Sequence, residues 1–233
     1  VVIGASHTPQ ELRDDWQKKF GFPCTVGYGL SEAPSGVTRL RHDRKRVSNG
    51  AGHALDPVEI RIFDENGKEA PIGEVGEICI SPRKEGPWRE VWSPMLGYWG
   101  KPEETMEALR GNMLHTGDIG SKDEDDHLTI VGRLSDLVVR GGANIYPAEV
   151  ERVLLSFSSI TEAAVIGVPD ERLGERVCAA IIVQGGFDVS ELSTQLNKQL
   201  AHYKVPEEIK TVTSLPRNAM GKVDREKLKQ LFL

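Results

Sequence analysis

Residues 132–151 read GRLSDLVVRGGANIYPAEVE, and they hold a charged pair, an apolar triplet, a double glycine and a proline-led helix start. Arg133 and Asp136 follow one alternating apolar run and precede another, which is where a segment joining two packed bodies falls. Leu137, Val138 and Val139 are strand-like. Gly141 and Gly142 permit backbone angles and a closeness of approach that a side chain forbids. Pro147 in a first helical turn, followed by Val150, Val153, Leu154 and Phe157 at helical spacing, predicts a helix with one face in a core. Taken alone, the run also fits an ordinary linker with a solvated ion pair, so its weight depends on its flanks.

Upstream, Val1–Gly4 reads as a short strand entering the small-residue loop Gly4-Ala5-Ser6. Thr8-Pro9-Gln10-Glu11 is a capping box with proline at the first helical position, and Leu12, Trp16 and Phe20, four apart, predict that helix's buried stripe. A turn at Gly21-Phe22-Pro23 and a strand Cys24–Val26 complete a β-α-β step, so this part belongs to an α/β layer. The strand ends at Gly27-Tyr28-Gly29, and in open α/β sheets ligands gather beyond strand C-terminal ends. From Val58 to Phe63 the pattern alternates, Asp64–Gly67 is a turn, and Gly76–Ile80 is the returning strand of a β-rich subdomain. A short helix over Pro102–Leu109 precedes a hairpin, His115–Gly132, whose acidic tip Lys122–Asp126 reads as solvated.

Downstream, the helix at Pro147 is followed by strands Ala163–Val168 and Val177–Val183. A helix over Ser190–Ala201, opened by the box Asp188-x-x-Glu191, a strand near Ile209–Val212 and a terminal helix after Asp224 complete a compact α+β domain. The organisation expected is therefore residues 1–133, a hinge at 134–136, and a small domain at 137–233.

Of 233 residues, 39% are hydrophobic and 27% charged, as in a soluble globular protein. A net charge of −6, with acidic residues outnumbering basic ones both before and after residue 133, implies no basic face and argues against nucleic acid as a partner, and no apolar run reaches membrane-spanning length. Cys24, Cys79 and Cys178 stand far apart beside apolar runs, which predicts buried free thiols and a cytoplasmic location. The six histidines do not cluster along the sequence, and no metal is assigned to them. The chain opens at full hydrophobic stride with Val1-Val2-Ile3, without Met, and reads as beginning inside a domain.

Three further stretches carry chemistry. In Gly27-Tyr28-Gly29-Leu30-Ser31-Glu32 the glycines free a tight loop, the ring offers a stacking face, the hydroxyl can donate to a phosphate oxygen and the carboxylate can hold a hard cation. A strand-end turn with a surface Glu reads the same way. His115-Thr116-Gly117-Asp118 puts an acid where it can accept from a vicinal diol, or merely close a β-turn. Pro216-Arg217-Asn218-Ala219-Met220-Gly221-Lys222-Val223-Asp224-Arg225 sets a compact positive charge on a glycine-containing loop, either an exposed turn or a device for meeting a carboxylate and a phosphate together.

Together with residues 132–151, these stretches resemble the adenylate-forming ANL superfamily of acyl-CoA synthetases, peptide-synthetase adenylation domains and luciferases. Its patterns are close to Y-G-x-[ST]-E, T-G-D, G-R-x-x-D with G-G-x-N-I and P-x-E-[IV]-E, and P-[KR]-T-x-x-G-K-[VI]-x-R. The resemblance implies the C-terminal part of a large N-domain, an α/β layer with a β-rich subdomain, followed by a small mobile α+β C-terminal domain. It implies that Tyr28 stacks on adenine, Ser31 contacts the α-phosphate and Glu32 helps bind Mg²⁺. Asp118 takes the ribose hydroxyls and Arg133 approaches the same ribose. Gly4, Ala5 and Ser6 flank the adenine, and Gly29 lies against the nucleotide. Asp136 is the hinge pivot, the Gly141-Gly142 strand lines the pantetheine tunnel, and Lys222 is the adenylation lysine. Gly29, Ala33, Pro34 and Ser35 border the acyl pocket. Serine replaces the commoner threonine at position 31, and Asn218 replaces the usual threonine in the last motif without touching the charged group.

The implied activity is that of an AMP-forming acid-CoA ligase using ATP, Mg²⁺ and CoA on a fatty or aromatic acid. The GGANIYPAEVE form favours CoA ligases over peptide-synthetase domains. Loading of a carrier-protein pantetheine and a non-catalytic partner module are the alternatives. The family's phosphate-wrapping loop ending in P-K-G is absent from these residues, and the resemblance places it, with most of the acyl pocket, upstream of residue 1 in the remainder of the N-domain. By itself the chain is expected not to adenylate.

Overall fold

The computed structural model describes residues 2–3, 10–34, 36–40, 50–185 and 192–233. The chain divides into two units, Val1–Val131 and Gly132–Leu233.

The first unit opens with strand β1 (Val2–Ile3), helix α1 (Gln10–Phe20) and strand β2 (Thr25–Val26), and β1 pairs with β2 in parallel. That is the β-α-β step the sequence predicts. Helix α1 departs from expectation in its stripe: Leu12 is 54% and Phe20 47% exposed. The Trp16 ring instead packs on Phe20 at 4.3 Å and against Phe22 at 6.2 Å, between ring centroids. Among the described residues the rings of Trp16, Phe20 and Phe22 cover one another. The box that opens this helix lies outside the described residues in part, as does all of Gly4-Ala5-Ser6.

Strands β3 (Thr38–Arg39), β4 (Gly50–Ala54), β5 (Val58–Phe63) and β6 (Gly76–Pro82) follow, then helix α2 (Pro102–Ala108) and strands β7 (Leu114–Lys122) and β8 (Leu128–Arg133). They form one sheet in the order β3-β4-β8-β7-β6-β5. Alternation in β5 buries Val58, Ile60 and Ile62 and leaves Glu59 and Arg61 outside that core. The acidic hairpin tip does more than sit in water. Asp123 accepts from the backbone N–H of Asp125 at 3.0 Å and of His127 at 2.9 Å, which shapes the turn.

In the second unit a 3₁₀ turn (Leu134–Asp136) leads to β9 (Val138–Arg140), β10 (Ala143–Ile145), helix α3 (Pro147–Leu154), β11 (Ile160–Asp170) and β12 (Gly174–Val183), then α4 (Leu192–Leu196), β13 (Glu208–Thr211) and α5 (Arg225–Lys229). The sheet runs β10-β9-β12-β11, with β13 parallel to β12. Helix α4 ends at Leu196, before the Ala201 that the sequence predicts, and its capping box lies outside the described residues.

Both faces of this sheet are covered, and the two long strands divide their side chains between them. Val165, Val177, Ala179 and Ile181 pack with α3 and α4, whereas Ala164, Ile166, Val168, Cys178 and Ala180 pack with Leu215, Leu228 and Phe232. Double-sided burial is why β11 and β12 read as apolar runs rather than alternations. No helix among the described residues is long and apolar enough to cross a membrane. Cys24, Cys79 and Cys178 are buried and free.

Helix α3 supplies a test. Leu154 is fully buried beside Val150 and Val153, while its neighbour Leu155 is 48% exposed. Leu154→Ala is expected to lower the unfolding free energy of this unit by about 2–5 kcal/mol, and Leu155→Ala by less than about 0.5 kcal/mol, in urea titrations of the same chain.

Candidate active site

The loop after β2 is built on backbone pairing. The Tyr28 carbonyl accepts the N–H groups of Val37 and Thr38 at 3.0 and 3.1 Å, and the Tyr28 N–H donates to Thr38 Oγ1 at 3.0 Å. The fold-back leaves little space at Gly29, where a Cβ would lie 3.2 Å from Gly36 Cα. Ala33 is buried, whereas Ser31 and Pro34 are exposed.

This loop carries Tyr28 to the T-G-D segment on β7. The phenol of Tyr28 donates to Asp118 Oδ2 at 2.6 Å across 90 residues of sequence. Asp118 is only 6% exposed, so the contact answers part of a buried carboxylate's demand for donors. Thr116 fixes the acid's backbone, its hydroxyl donating to Ile78 O at 2.7 Å and accepting the Asp118 N–H at 3.0 Å.

Glu32, half-buried, faces a residue that sequence reasoning missed. Tyr98 Oη donates to Glu32 Oε1 at 2.9 Å, and Met95 N–H donates to the Glu32 carbonyl at 2.9 Å. Burial, then the hydrogen bond to Glu32, raises the Tyr98 pKa, so the phenol stays a donor. No spacing signal marks this pair. The second carboxylate oxygen of Glu32 makes no hydrogen bond among the described residues, and a hard oxygen so placed suits Mg²⁺.

In the second unit, Gly141 and Gly142 do not form strand. They are the two-residue turn between β9 and β10, with φ of +58° and +82°. Paired left-handed residues are what a tight antiparallel connection requires, so backbone angle, rather than strand packing, accounts for the double glycine. Asp136 Oδ2 pairs with Arg225 Nε at 3.0 Å. Arg225 also reaches Glu151 Oε1 at 3.1 Å and donates to the Val165 carbonyl. The last motif's arginine thus ties the 3₁₀ turn to α3 and β11, a role no sequence pattern announces.

Lys222 sits on an exposed loop closed by a bridge between Arg217 and Val223. Asn218 shapes it: Oδ1 accepts the N–H groups of Met220 at 3.0 Å and Lys222 at 3.1 Å, and the Asn218 N–H donates to Lys222 O at 2.8 Å. The Asn-for-Thr departure therefore reaches the lysine's own backbone N–H and leaves its ammonium untouched. Among the described residues the Lys222 ammonium makes no ion pair. The histidines also differ from expectation. His53 and His127 stack edge-on at 5.2 Å, and His115 meets Glu77 and Cys79, because strand pairing joins residues that spacing keeps apart.

Comparison with known proteins now bears on these sites. Residues 1–99 match the family model described as AMP-binding enzyme, and residues 149–222 that of the AMP-binding enzyme C-terminal domain. A feruloyl-CoA synthase of Amycolatopsis sp is 37% identical over 237 residues, covering 100% of this chain and 46% of its own length. A fatty acid–[acyl-carrier-protein] ligase, ScoC of Streptomyces coeruleorubidus, is 40% identical over 239 residues, with 100% and 44% covered. ATP-bound MatB from Rhodopseudomonas palustris superposes with a TM-score of 0.85 at 34% identity, covering 99% of this chain and 45% of that one. The chain thus spans about half the length of the relatives it matches.

Removing the Asn218 side chain tests the loop. Asn218→Ala is expected to speed amide exchange at Met220 and Lys222 by about tenfold, the cost of one hydrogen bond each. Asn218→Thr, which keeps an acceptor, is expected to leave these rates closer to the parent.

Proposed function

Because this chain belongs to the AMP-binding enzyme family, we propose that the protein activates a carboxylic acid as acyl-AMP and passes the acyl group to the thiol of CoA. The Tyr28–Asp118 contact carries the reading for this chain, since it joins two nucleotide-binding motifs distant in sequence.

In the first half-reaction a carboxylate oxygen of the acid attacks the α-phosphorus of ATP, the bond to the bridging oxygen breaks, and pyrophosphate leaves. Two anions must meet, and negative charge builds on the phosphate. The Lys222 ammonium and the Ser31 hydroxyl offset that charge where it develops. Glu32 is the residue that would hold Mg²⁺, which when bound neutralises phosphate charge. Tyr28 stacks on the adenine and Asp118 accepts from the ribose hydroxyls, with Arg133 serving the same sugar. In the second half-reaction the thiol loses its proton, its sulfur bonds to the acyl carbon and AMP departs. Asp136 is the pivot between the two states, and the Gly141-Gly142 turn borders the pantetheine path, where the absence of side chains leaves room for the arm. Gly29, Ala33 and Pro34 border the acyl group, an aromatic or fatty acid. Three buried cysteines without a disulfide accord with a cytoplasmic setting.

The carrier-protein ligase among the relatives supports a second reading, transfer to a carrier-bound pantetheine. Supplying the intact protein with free CoA or with a phosphopantetheinylated carrier separates the two.

Lys222→Ala in the intact protein is expected to lower acid-dependent pyrophosphate release by at least about a hundredfold. Thioester formation from preformed acyl-AMP is expected to persist within a few-fold. Equal loss of both half-reactions would overturn the assignment of Lys222.

A further inference from the structure

Strands β6 and β7 pair in antiparallel fashion, but their register shifts between Glu77 and Cys79. Cys79 lies opposite His115, and the shift brings the Glu77 carboxylate onto the segment that carries Asp118. Its Oε2 accepts from His115 Nδ1 at 2.8 Å and Arg110 at 3.0 Å, and its Oε1 accepts the Gly117 N–H at 3.2 Å. Gly117 holds φ +69°, a left-handed conformation immediately before Asp118. Ile78, the residue after Glu77, supplies the carbonyl that receives the Thr116 hydroxyl.

The Glu77, Cys79 and His115 donor atoms lie within 4.8 Å of one another, a grouping able to hold a metal ion. Its chemistry points elsewhere. Arg110 already provides positive charge, and His115 Nδ1, with one proton, is committed to Glu77 while Cys79 Sγ lies 3.2 Å away. Burial, then the Glu77 charge, pushes the Cys79 thiol up to about 12, so it stays protonated near neutral pH. A protonated thiol is a poor ligand. What remains is a carboxylate clamped by three donors, with charge-assisted bonds on one oxygen and the Gly117 backbone on the other.

We propose that Glu77 is a positioning residue for Asp118: by holding the left-handed turn at Gly117 it fixes the direction in which the acid meets a nucleotide ribose. The inference rests on the reading that Asp118 accepts from the ribose hydroxyls, and deepens it. Glu77 acts on Asp118 through the Gly117 amide, and His115 and Arg110 hold its other oxygen in place.

The test uses the intact protein with ATP, 2′-deoxyATP and 3′-deoxyATP, reading kcat/KM for acid-dependent pyrophosphate release. Glu77→Ala is expected to reduce discrimination between ATP and the deoxy analogues by about tenfold, as for one lost hydrogen bond, with KM for the acid changed less than about twofold. Glu77→Gln keeps an oxygen for Gly117 and is expected to recover part of the discrimination; it also serves if Glu77→Ala does not fold. Asp118→Ala tests the underlying reading and is expected to abolish discrimination. If Asp118→Ala abolishes it while both Glu77 variants keep the parent ratio, the positioning role is wrong. Should Asp118→Ala itself keep the ratio, the ribose reading falls and the inference with it.

Discussion

A carboxylate that is 6% exposed must be met by hydrogen-bond donors or give up its charge. That constraint at Asp118 organises much of the first unit. It draws the Tyr28 phenol to 2.6 Å, and the loop that delivers Tyr28 is in turn pinned to Val37 and Thr38 at the end of the antiparallel sheet. The parallel β-α-β layer and the β-rich sheet are thus fastened to each other through the Tyr28–Asp118 hydrogen bond. Packing places Tyr28 beside the cluster around Val58 and Ile80, but the hydroxyl fixes which way the ring faces.

The second unit solves a different problem with the same economy. Its sheet is buried on both faces, so its specificity of form comes from side chains interdigitating above and below β11 and β12. Polar groups are kept to the margins. There Arg225 gathers Asp136, Glu151 and the Val165 carbonyl into one partly exposed cluster. Exposed ion pairs contribute little to stability singly, yet a planar guanidinium with several acceptors is geometrically demanding. Its consequence is orientation: the 3₁₀ turn carrying Asp136 is held in a set relation to the start of α5 and the loop just before it.

Local periodicity made several of these elements legible in the sequence. Val150, Val153 and Leu154 announce α3, the runs at 163–168 and 177–183 announce the paired central strands, and Asp224 announces the cap it forms with the Lys227 N–H at 3.1 Å. Where a motif's residues act through their own side chains, as Tyr28 and Asp118 do, the type of residue was enough to suggest a role. Contacts set by pairing register were not legible. Tyr98 reaches Glu32 across 66 residues, and His53 finds His127 across the sheet. The stripe Leu12, Trp16, Phe20 shows the limit of spacing: it says that a face wants cover, and nothing about what supplies it. The double glycine was legible in part: sequence offered unusual backbone angle, which the turn between β9 and β10 uses, but not that the pair is a turn rather than strand.

The loop bearing Lys222 shows how polar residues can shape the backbone around an exposed cation without pairing with it. A flexible lysine could be fixed most cheaply by a salt bridge, but an ammonium neutralised by a neighbouring carboxylate has less field left for a phosphate. Here the fixing falls on other groups. Arg217 pairs with Glu162 at the base and donates to Gly221 O at 2.8 Å, and Asn218 takes the main-chain N–H groups near the tip. Asp224, whose carboxyl is held below its usual pKa first by the Lys227 backbone N–H, caps the helix beyond. The motif's one acidic residue, Asp224, is thereby committed to Lys227 rather than to Lys222. The loop is ordered through its backbone, and among the described residues the ammonium of Lys222 makes no ion pair.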